Sequence, residues 1–496
     1  MIEELFSNLK KGNEIRENLS AIRSKIKDSH RLEEAMVFAG DGSFLINLLK
    51  NEDAKVRKNV ALLIGDLNIQ PAVDALLEAY QNEPTLFVKS SYLVALGKLG
   101  ASSHVAFFKE RMEYLQSMEI ADEEKKHVGE ELRELLKLVI AAEGIKKHPF
   151  KGFEKPHKMI LTTNREQRAA TISEVAELSA TVQRKVEEHP LGVQVFTKEV
   201  QPIALLRTYR ELLFDIGLTG RLDNKPQVAA KQLWESNLFS FLQEVHKGSA
   251  PFYFRIEVKS KIPQMEYTKK LSIELERLSN WQLLNSTSDY EVEIRLIEAK
   301  DGGYAAFVKL YTMSVKRFLY RKNAVAMSIH PATAAMLIQL AAPYMKEDAQ
   351  ILDPCCGVGT MLIERDIKIP AGDMYGIDIF GDAIEMGREN ATLAGEKINF
   401  IHRDYFDFKH NYKFDEIITN MPVKGKKTKE EMDAFYENFF KKSKSILAPK
   451  GKIIMYSNEN GFVKKQLRLQ SEFRLVQEFS IRKKDNFYLF IIELKG

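Results

Sequence analysis

Apolar residues recur three and four positions apart through the first 145 residues, and glycines fall where one run ends and the next begins. No stretch there alternates with period two, so this region is expected to be wholly helical. Two of its segments align at a spacing of about 32 residues: NEDAKVRKNVALLIGDLNIQPAVDALLEAY (51–80) and NEPTLFVKSSYLVALGKLGASSHVAFFKER (82–111). Ile64-Gly65 recurs as Leu96-Gly97, and Leu67 as Leu99. After a charged, proline-bearing linker (146–158) the pattern changes. KMILTT (158–163), VQVFT (193–197), FYFRIEVKS (252–260), YEVEIRLIE (290–298) and YAAFVKLYT (304–312) read as strands; QPIALLRTYRELLFDIG (201–217) and YTKKLSIELERL (267–278) read as helices. From residue 349 onward, short apolar runs alternate with helical patterns, and the runs end in Asp353, Asp378, Asp404 and Asn420. Strands that alternate with helices in this way predict a mostly parallel sheet. The last two runs, 473–481 and 486–494, flank the charged turn 482–485 and predict one antiparallel pair.

The chain therefore divides into a helical region (1–145), an α+β region (150–315) and an α/β domain (320–496). A length of 496 residues accommodates that number of domains. The net charge is only +4, so any nucleic-acid footprint has to be local. Cys355 and Cys356, the sole cysteines, sit side by side without metal-ligand spacing, which suits a reducing cytoplasm. No metal and no membrane association are expected. The uncharged stretch 324–345 contains Ser328, His330, Pro331, Thr333 and Gln339, and reads as a capped buried helix starting near Pro331 rather than as a span.

The chemistry concentrates at AQILDPCCGVGT (349–360). A strand ends at Asp353, and Gly357 and Gly359 let backbone approach a ligand at the carboxyl edge of a parallel sheet. Leu362 stands where a dinucleotide fingerprint needs its third glycine. S-adenosylmethionine (SAM) has no phosphate to seat and carries a sulfonium and an ammonium, which an acid at the strand end suits. Asp378, 25 residues further on, is placed to accept ribose hydroxyls.

These motifs resemble the class I SAM-dependent methyltransferases. The resemblance implies that Asp353, Gly357 and Gly359 line the methionine end of SAM, that Asp378 holds the ribose and that Asp404 reads the adenine amino group. Cys355, Thr360, Ile379 and Tyr405 complete the implied cofactor set. MSVKRFLYRKNAVAMSIHPATAAMLIQL (313–340) is similar to the bridge of THUMP-bearing RNA guanine methyltransferases, where a basic-aromatic strand leads into a helix, so His330 and Thr333 are expected to close one side of the pocket. The helix–strand–helix–strand–strand order before it resembles a THUMP domain with a ferredoxin-like lead-in, and the repeats resemble HEAT units. THUMP domains grip structured RNA, which makes Arg207, Arg210, Arg255, Lys259 and Lys261 candidate contacts.

Asn420-Met421-Pro422 ends the fourth strand of the α/β domain. An asparagine oxygen and a carbonyl ahead of proline are suited to hold the hydrogens of a planar amine, although asparagine at strand ends also makes local turns. Amino-methyltransferases usually carry an aromatic residue after the proline; here it is Val423, and Phe318, Tyr320 and Tyr405 are the candidates to replace it. Lys424, Lys426, Lys427 and Lys429 follow, either as a solvated loop or as a phosphate-binding lid. The implied activity is SAM-dependent methylation of an exocyclic amine, guanine N2 in tRNA ahead of ribosomal RNA. The rival readings are an RNA-binding protein with a vestigial domain and a protein methyltransferase whose repeats hold a protein partner.

Overall fold

The computed structural model describes residues 2–28, 31–121 and 123–496. Contacts divide them into two units. The first comprises residues up to Phe150, Ile216–Ala306 and Leu310–Thr312; the second comprises Lys151–Asp215, Phe307–Lys309 and Met313–Gly496. The division runs through the segment 150–315 that the sequence marks off as one region.

In the first unit the repeated segments form the helices Ala54–Asp66, Val73–Asn82, Leu86–Lys98 and Val105–Ser117. The repeated glycine marks a close approach: a Cβ on Gly65 would lie 2.8 Å from Ala95 Cα. Val60, Leu63, Leu96 and Leu132 join one core, which Trp281 enters against Gly129. Further along, strand Phe252–Lys259 runs parallel to both Leu283–Asn285 and Val292–Glu298. Arg255, expected as an RNA contact, is engaged within the protein. Its guanidinium is held 3.2 Å from both Glu257 and Glu293 and lies 4.8 Å from the centre of the Tyr290 ring, so its charge is already matched. Lys259 is likewise paired with Glu257 at 2.6 Å, whereas Lys261 is exposed.

The second unit holds a seven-stranded sheet built from β1 (Ile351–Asp353), β2 (Met374–Asp378), β3 (Ile398–His402), β4 (Phe414–Asn420), β5 (Leu447–Ser457), β6 (Phe473–Arg482) and β7 (Phe487–Leu494). The spatial order is β3-β2-β1-β4-β5-β7-β6. The first five strands are parallel, and β7 runs antiparallel to both neighbours. The order reverses between β1 and β4, so the loops after these two strands flank the crevice where such sheets take ligands. A fully buried ion pair joins the helix after the glycine loop to the amino-terminal end of β4. Arg365, on the helix that follows the glycine loop, donates to both Glu416 oxygens of β4 at 2.9 and 3.0 Å and to the Lys346 carbonyl at 2.8 Å.

Residues 151–215 supply a second, antiparallel sheet to the same unit, in the order Lys185–His189, Gly192–Thr197, His157–Thr162, Leu212–Asp215. The helix expected over 201–217 is cut short. It spans only Val200–Leu205, because Leu212, Leu213 and Phe214 are buried as a strand against Met159–Leu161. A continuous apolar run fits a buried strand as well as a helix. The turn between them, 206–211, is pinned by Arg317, whose guanidinium takes the carbonyls of Leu206 at 3.1 Å and Arg210 at 2.7 Å. Residues 313–330 also form no strand; their side chains bond to this turn and to the helices around it instead.

Candidate active site

The glycine loop is shaped by its own backbone. Gly357 and Gly359 have φ of +51° and +78°, a region that L side chains rarely adopt. The Gly359 position is closed: a Cβ would meet Phe400 at 2.7 Å. Nothing lies within 4 Å of the same position on Gly357. Asp378 fixes the loop from the next strand, with one oxygen accepting from Gly357 N at 2.8 Å and the other from Phe380 N at 3.0 Å. Each of these oxygens keeps a lone pair for a ligand hydroxyl.

A cavity of about 1010 Å³ opens above this loop, lined wholly by second-unit residues. Asp353 forms part of its floor and is 1% exposed. Its Oδ1 accepts from Cys355 N at 3.0 Å, and the Thr419 hydroxyl lies beside the carboxyl; among the described residues its Oδ2 and the Thr360 hydroxyl are buried without a well-formed hydrogen bond. Burial pushes the Asp353 carboxyl up to about 8. Burial also raises both thiols far above the usual range, so neither Cys355 nor Cys356 is poised as a nucleophile. His330 caps the helix Pro331–Ala341, accepting from Ala332 N through Nδ1 at 3.2 Å. Burial first, then the charges of Arg210, Arg321 and Arg317, depress its pKa.

The opposite wall carries Asn420, Met421, Pro422, Val423 and Tyr456. Asn420 lies beside Tyr456 in the β4–β5 register, and Met421 N donates to the Tyr456 carbonyl at 2.9 Å. This leaves the Asn420 side chain, half-buried at the cavity, without an intramolecular hydrogen bond among the described residues. Lys424, Lys426 and Lys427 follow on an exposed loop, with the Lys427 ammonium 4.9 Å from the Phe435 ring centre.

Of the residues singled out from the sequence, His330, Thr333, Asp353, Cys355, Gly357, Thr360, Asp378, Asn420, Met421 and Pro422 share this cavity. Gly359 does not line it; it caps the following helix against Phe400. Ile379 and Asp404 are exposed off the cavity wall, where Asp404 caps a short turn through Phe406 N. Tyr405 belongs to the core, with its hydroxyl 3.1 Å from Ser443, and does not line the cavity. Tyr320 is buried with its hydroxyl on Glu364, and Phe318 lies between Arg207 and Arg317. Arg207 is a structural residue rather than an RNA contact, since it grips Glu364 through two bonds of 2.8 and 2.9 Å.

Sequence reading missed Phe380, Arg482 and Phe487 on the wall. Phe380 is 67% exposed, and an exposed aromatic two residues after a strand-end acid was its only signal. Arg210 enters the cavity from the pinned turn and donates to Thr333 Oγ1 at 3.3 Å.

Residues 319–487 match the family described as RMKL-like, methyltransferase domain (UPF0020). A tRNA (guanine(10)-N2)-dimethyltransferase from Methanothermobacter thermautotrophicus is 27% identical over 158 residues, 31% of this chain and 45% of that protein. An uncharacterised protein, MG259, from Mycoplasma genitalium is 32% identical over 133 residues, 26% of each chain. The chain thus spans a quarter to under a half of the length of these curated relatives. TrmN from Thermus thermophilus shares the fold with a TM-score of 0.52 at 19% identity, over 69% of this chain and 100% of that one. SMU.472, solved in complex with SAH, does so with a TM-score of 0.53 at 17% identity, over 69% and 99%. The carboxyl-terminal domain is a methyltransferase domain, and its cofactor is S-adenosylmethionine. The site fits that group. The Asp353 carboxyl and the Thr360 hydroxyl line the cavity with acceptor capacity that suits a cationic ligand, Gly357 leaves room for it, and Asp378 keeps acceptor capacity.

Proposed function

We propose that the chain methylates an exocyclic base amine in RNA, guanine N2 of tRNA ahead of ribosomal RNA. The observation that carries this reading is the unengaged Asn420 amide beside the Met421 carbonyl, on the wall facing the cofactor loop. SAM, when bound, supplies the methyl group. The Asn420 oxygen accepts one amine N–H and the Met421 carbonyl the other, since Pro422 brings no competing donor. Held so, the nitrogen lone pair is aimed rather than rotating, and no strong general base is needed before attack. The two buried thiols, held protonated, are consistent with that, because neither is arranged as a nucleophile for a ring carbon.

The name of the archaeal relative supports guanine N2 and tRNA. The elements between 216 and 310 support a THUMP-like reading, and the paired helices before 145 a HEAT-like one, with a partner or RNA backbone as their ligand. A ribosomal protein uL3 glutamine methyltransferase from Xanthomonas campestris, 30% identical over 95 residues, makes a protein amide the competing acceptor. Mass spectrometry of nucleosides from tRNA and rRNA of a deletion strain tests the reading. Loss of N2-methylguanosine supports it; an unchanged nucleoside profile together with a hypomethylated protein overturns it.

A further inference from the structure

Val423 stands where an aromatic clamp is expected, and none of the three substitutes suggested by the sequence reaches the cavity. The wall nevertheless holds two stacked rings. Tyr456 and Phe487 lie 5.0 Å apart between centroids with planes 25° from parallel. Arg482 places its guanidinium 4.2 Å from the centre of the Phe487 ring and 3.6 Å from the exposed Asp485. Arg210 reaches the same cavity from the turn held by Arg317.

We infer that Phe487, backed by the buried Tyr456, forms the acceptor-nucleotide subsite with Arg482 and Arg210, in which the Phe487 ring supports the base and the two guanidiniums take its phosphate. This rests on the RNA reading above. A base drawn out of its stack needs a π surface next to the group that orients its amine, and Tyr456 is the register partner of Asn420. A planar guanidinium matches phosphate through paired donors. The subsite is also built rather than incidental. Asn164 donates to the Ile481 carbonyl and Gln167 to the Ser480 carbonyl, both at 2.6 Å, while Glu166 accepts from Lys483 N at 3.1 Å. Asn486, with φ +58°, ties the hairpin turn to the Asn458 carbonyl at 3.0 Å. Residues 157–215 therefore hold the terminal hairpin in position and contribute Arg210 to the acceptor side.

The test uses the full chain with S-adenosylhomocysteine and saturation-transfer NMR of guanosine and guanosine 5′-monophosphate. Both are expected to bind, with the monophosphate at least five-fold tighter. Phe487→Leu should remove most of the signal for both ligands, and Phe487→Tyr should restore it. Arg210→Ala combined with Arg482→Ala should reduce the monophosphate to the level of guanosine. SAM affinity and the far-UV spectrum should be unchanged in all variants. Equal binding of the two ligands to the native chain, or an unchanged signal in Phe487→Leu, overturns the inference. Methyl transfer from labelled SAM to bulk tRNA separates the two claims. Wild-type KM for tRNA in Phe487→Leu defeats the subsite alone. Absence of any tRNA labelling by the native chain, with the monophosphate signal intact, defeats the tRNA reading and leaves the subsite standing.

Discussion

The two walls of the cavity are made in different ways. The cofactor wall comes from one stretch of chain: Asp353 ends a strand, two glycines turn the loop, and Asp378 on the adjacent strand holds the loop by its backbone. The acceptor wall is assembled from positions 210, 420–423, 456, 482 and 487, which are brought together only by the sheet and by the segment 157–215. A site made from local backbone geometry tolerates little change at its own residues but depends weakly on distant ones. A site assembled from distant segments depends on the bonds that hold those segments.

The largest effect expected is on the sheet that carries both walls, at its amino-terminal edge away from the cavity. Arg365 and Glu416 are both essentially without solvent exposure, and Arg365 is the ion-pair partner of Glu416. Arg365→Met leaves that carboxylate buried and unpaired, which costs about 3–5 kcal/mol of stability. Denaturant unfolding measures it. Adding Glu416→Leu should recover most of the loss; if the double variant is as unstable as the single, the unpaired carboxylate is not the source of the cost.

Next in size is Asn420→Ala on the acceptor wall. Losing a positioned hydrogen-bonding group from a transition state costs roughly two orders of magnitude in rate. SAM affinity by calorimetry should stay the same, because Asn420 has no bond to the glycine loop. A fully active variant would remove Asn420 from the acceptor role, and a parallel loss of SAM binding would collapse the distinction between the walls.

Asp353 sharpens the cofactor side through pH. Its carboxyl is raised to about 8 by burial, so below that pH the free protein holds it protonated. Ionisation is what a cationic ligand favours. SAM affinity should therefore rise with pH up to about 8 and level off above it, with proton release on binding below 8 visible as a buffer-dependent enthalpy. The stability of the free protein runs the other way. An unfolded aspartate ionises near pH 4, so raising the pH from there to about 8 penalises the fold that keeps the proton. Asp353→Asn should thus raise the melting temperature of the free protein at pH 8 and weaken SAM binding. A flat affinity profile between pH 6 and 8 would mean that the carboxylate is not the group facing the cation.

What the sequence discloses follows the same contrast. Asp353, Gly357, Thr360 and Asp378 were readable because strand-end acids and left-handed glycines are local requirements. Asn420 was readable for the same reason. Phe487 and Arg482 were not, since each looks like an ordinary residue of a terminal hairpin until β7 is placed beside β5. The ion pairs of Arg207 and Arg255 are not legible either, since each meets a buried carboxylate far away in sequence, Glu364 or Glu293. The stretch 206–215 misled because an apolar run does not distinguish a buried strand from a helix, and the turn that carries Arg210 was hidden inside it.

The smallest expected effect concerns Lys424, Lys426 and Lys427, which leave the acceptor wall for solvent. Exposed lysines add little to folding, and among the described residues their ammonium groups meet no carboxylate, only the Phe435 ring near Lys427. Their charges remain available to phosphates next to a bound nucleotide. Each phosphate contact contributes roughly 0.7–0.9 to the slope of log affinity against log salt. Replacing all three with alanine should flatten that slope for tRNA by up to about two to three, with unchanged SAM affinity and unchanged melting temperature. Replacing Arg255 should leave the slope as it is, because its charge is already matched by Glu257 and Glu293. If the slope falls for Arg255→Ala and not for the lysine variant, RNA follows the strand face of the first unit rather than the loop beside Asn420, and the acceptor wall ends at Val423.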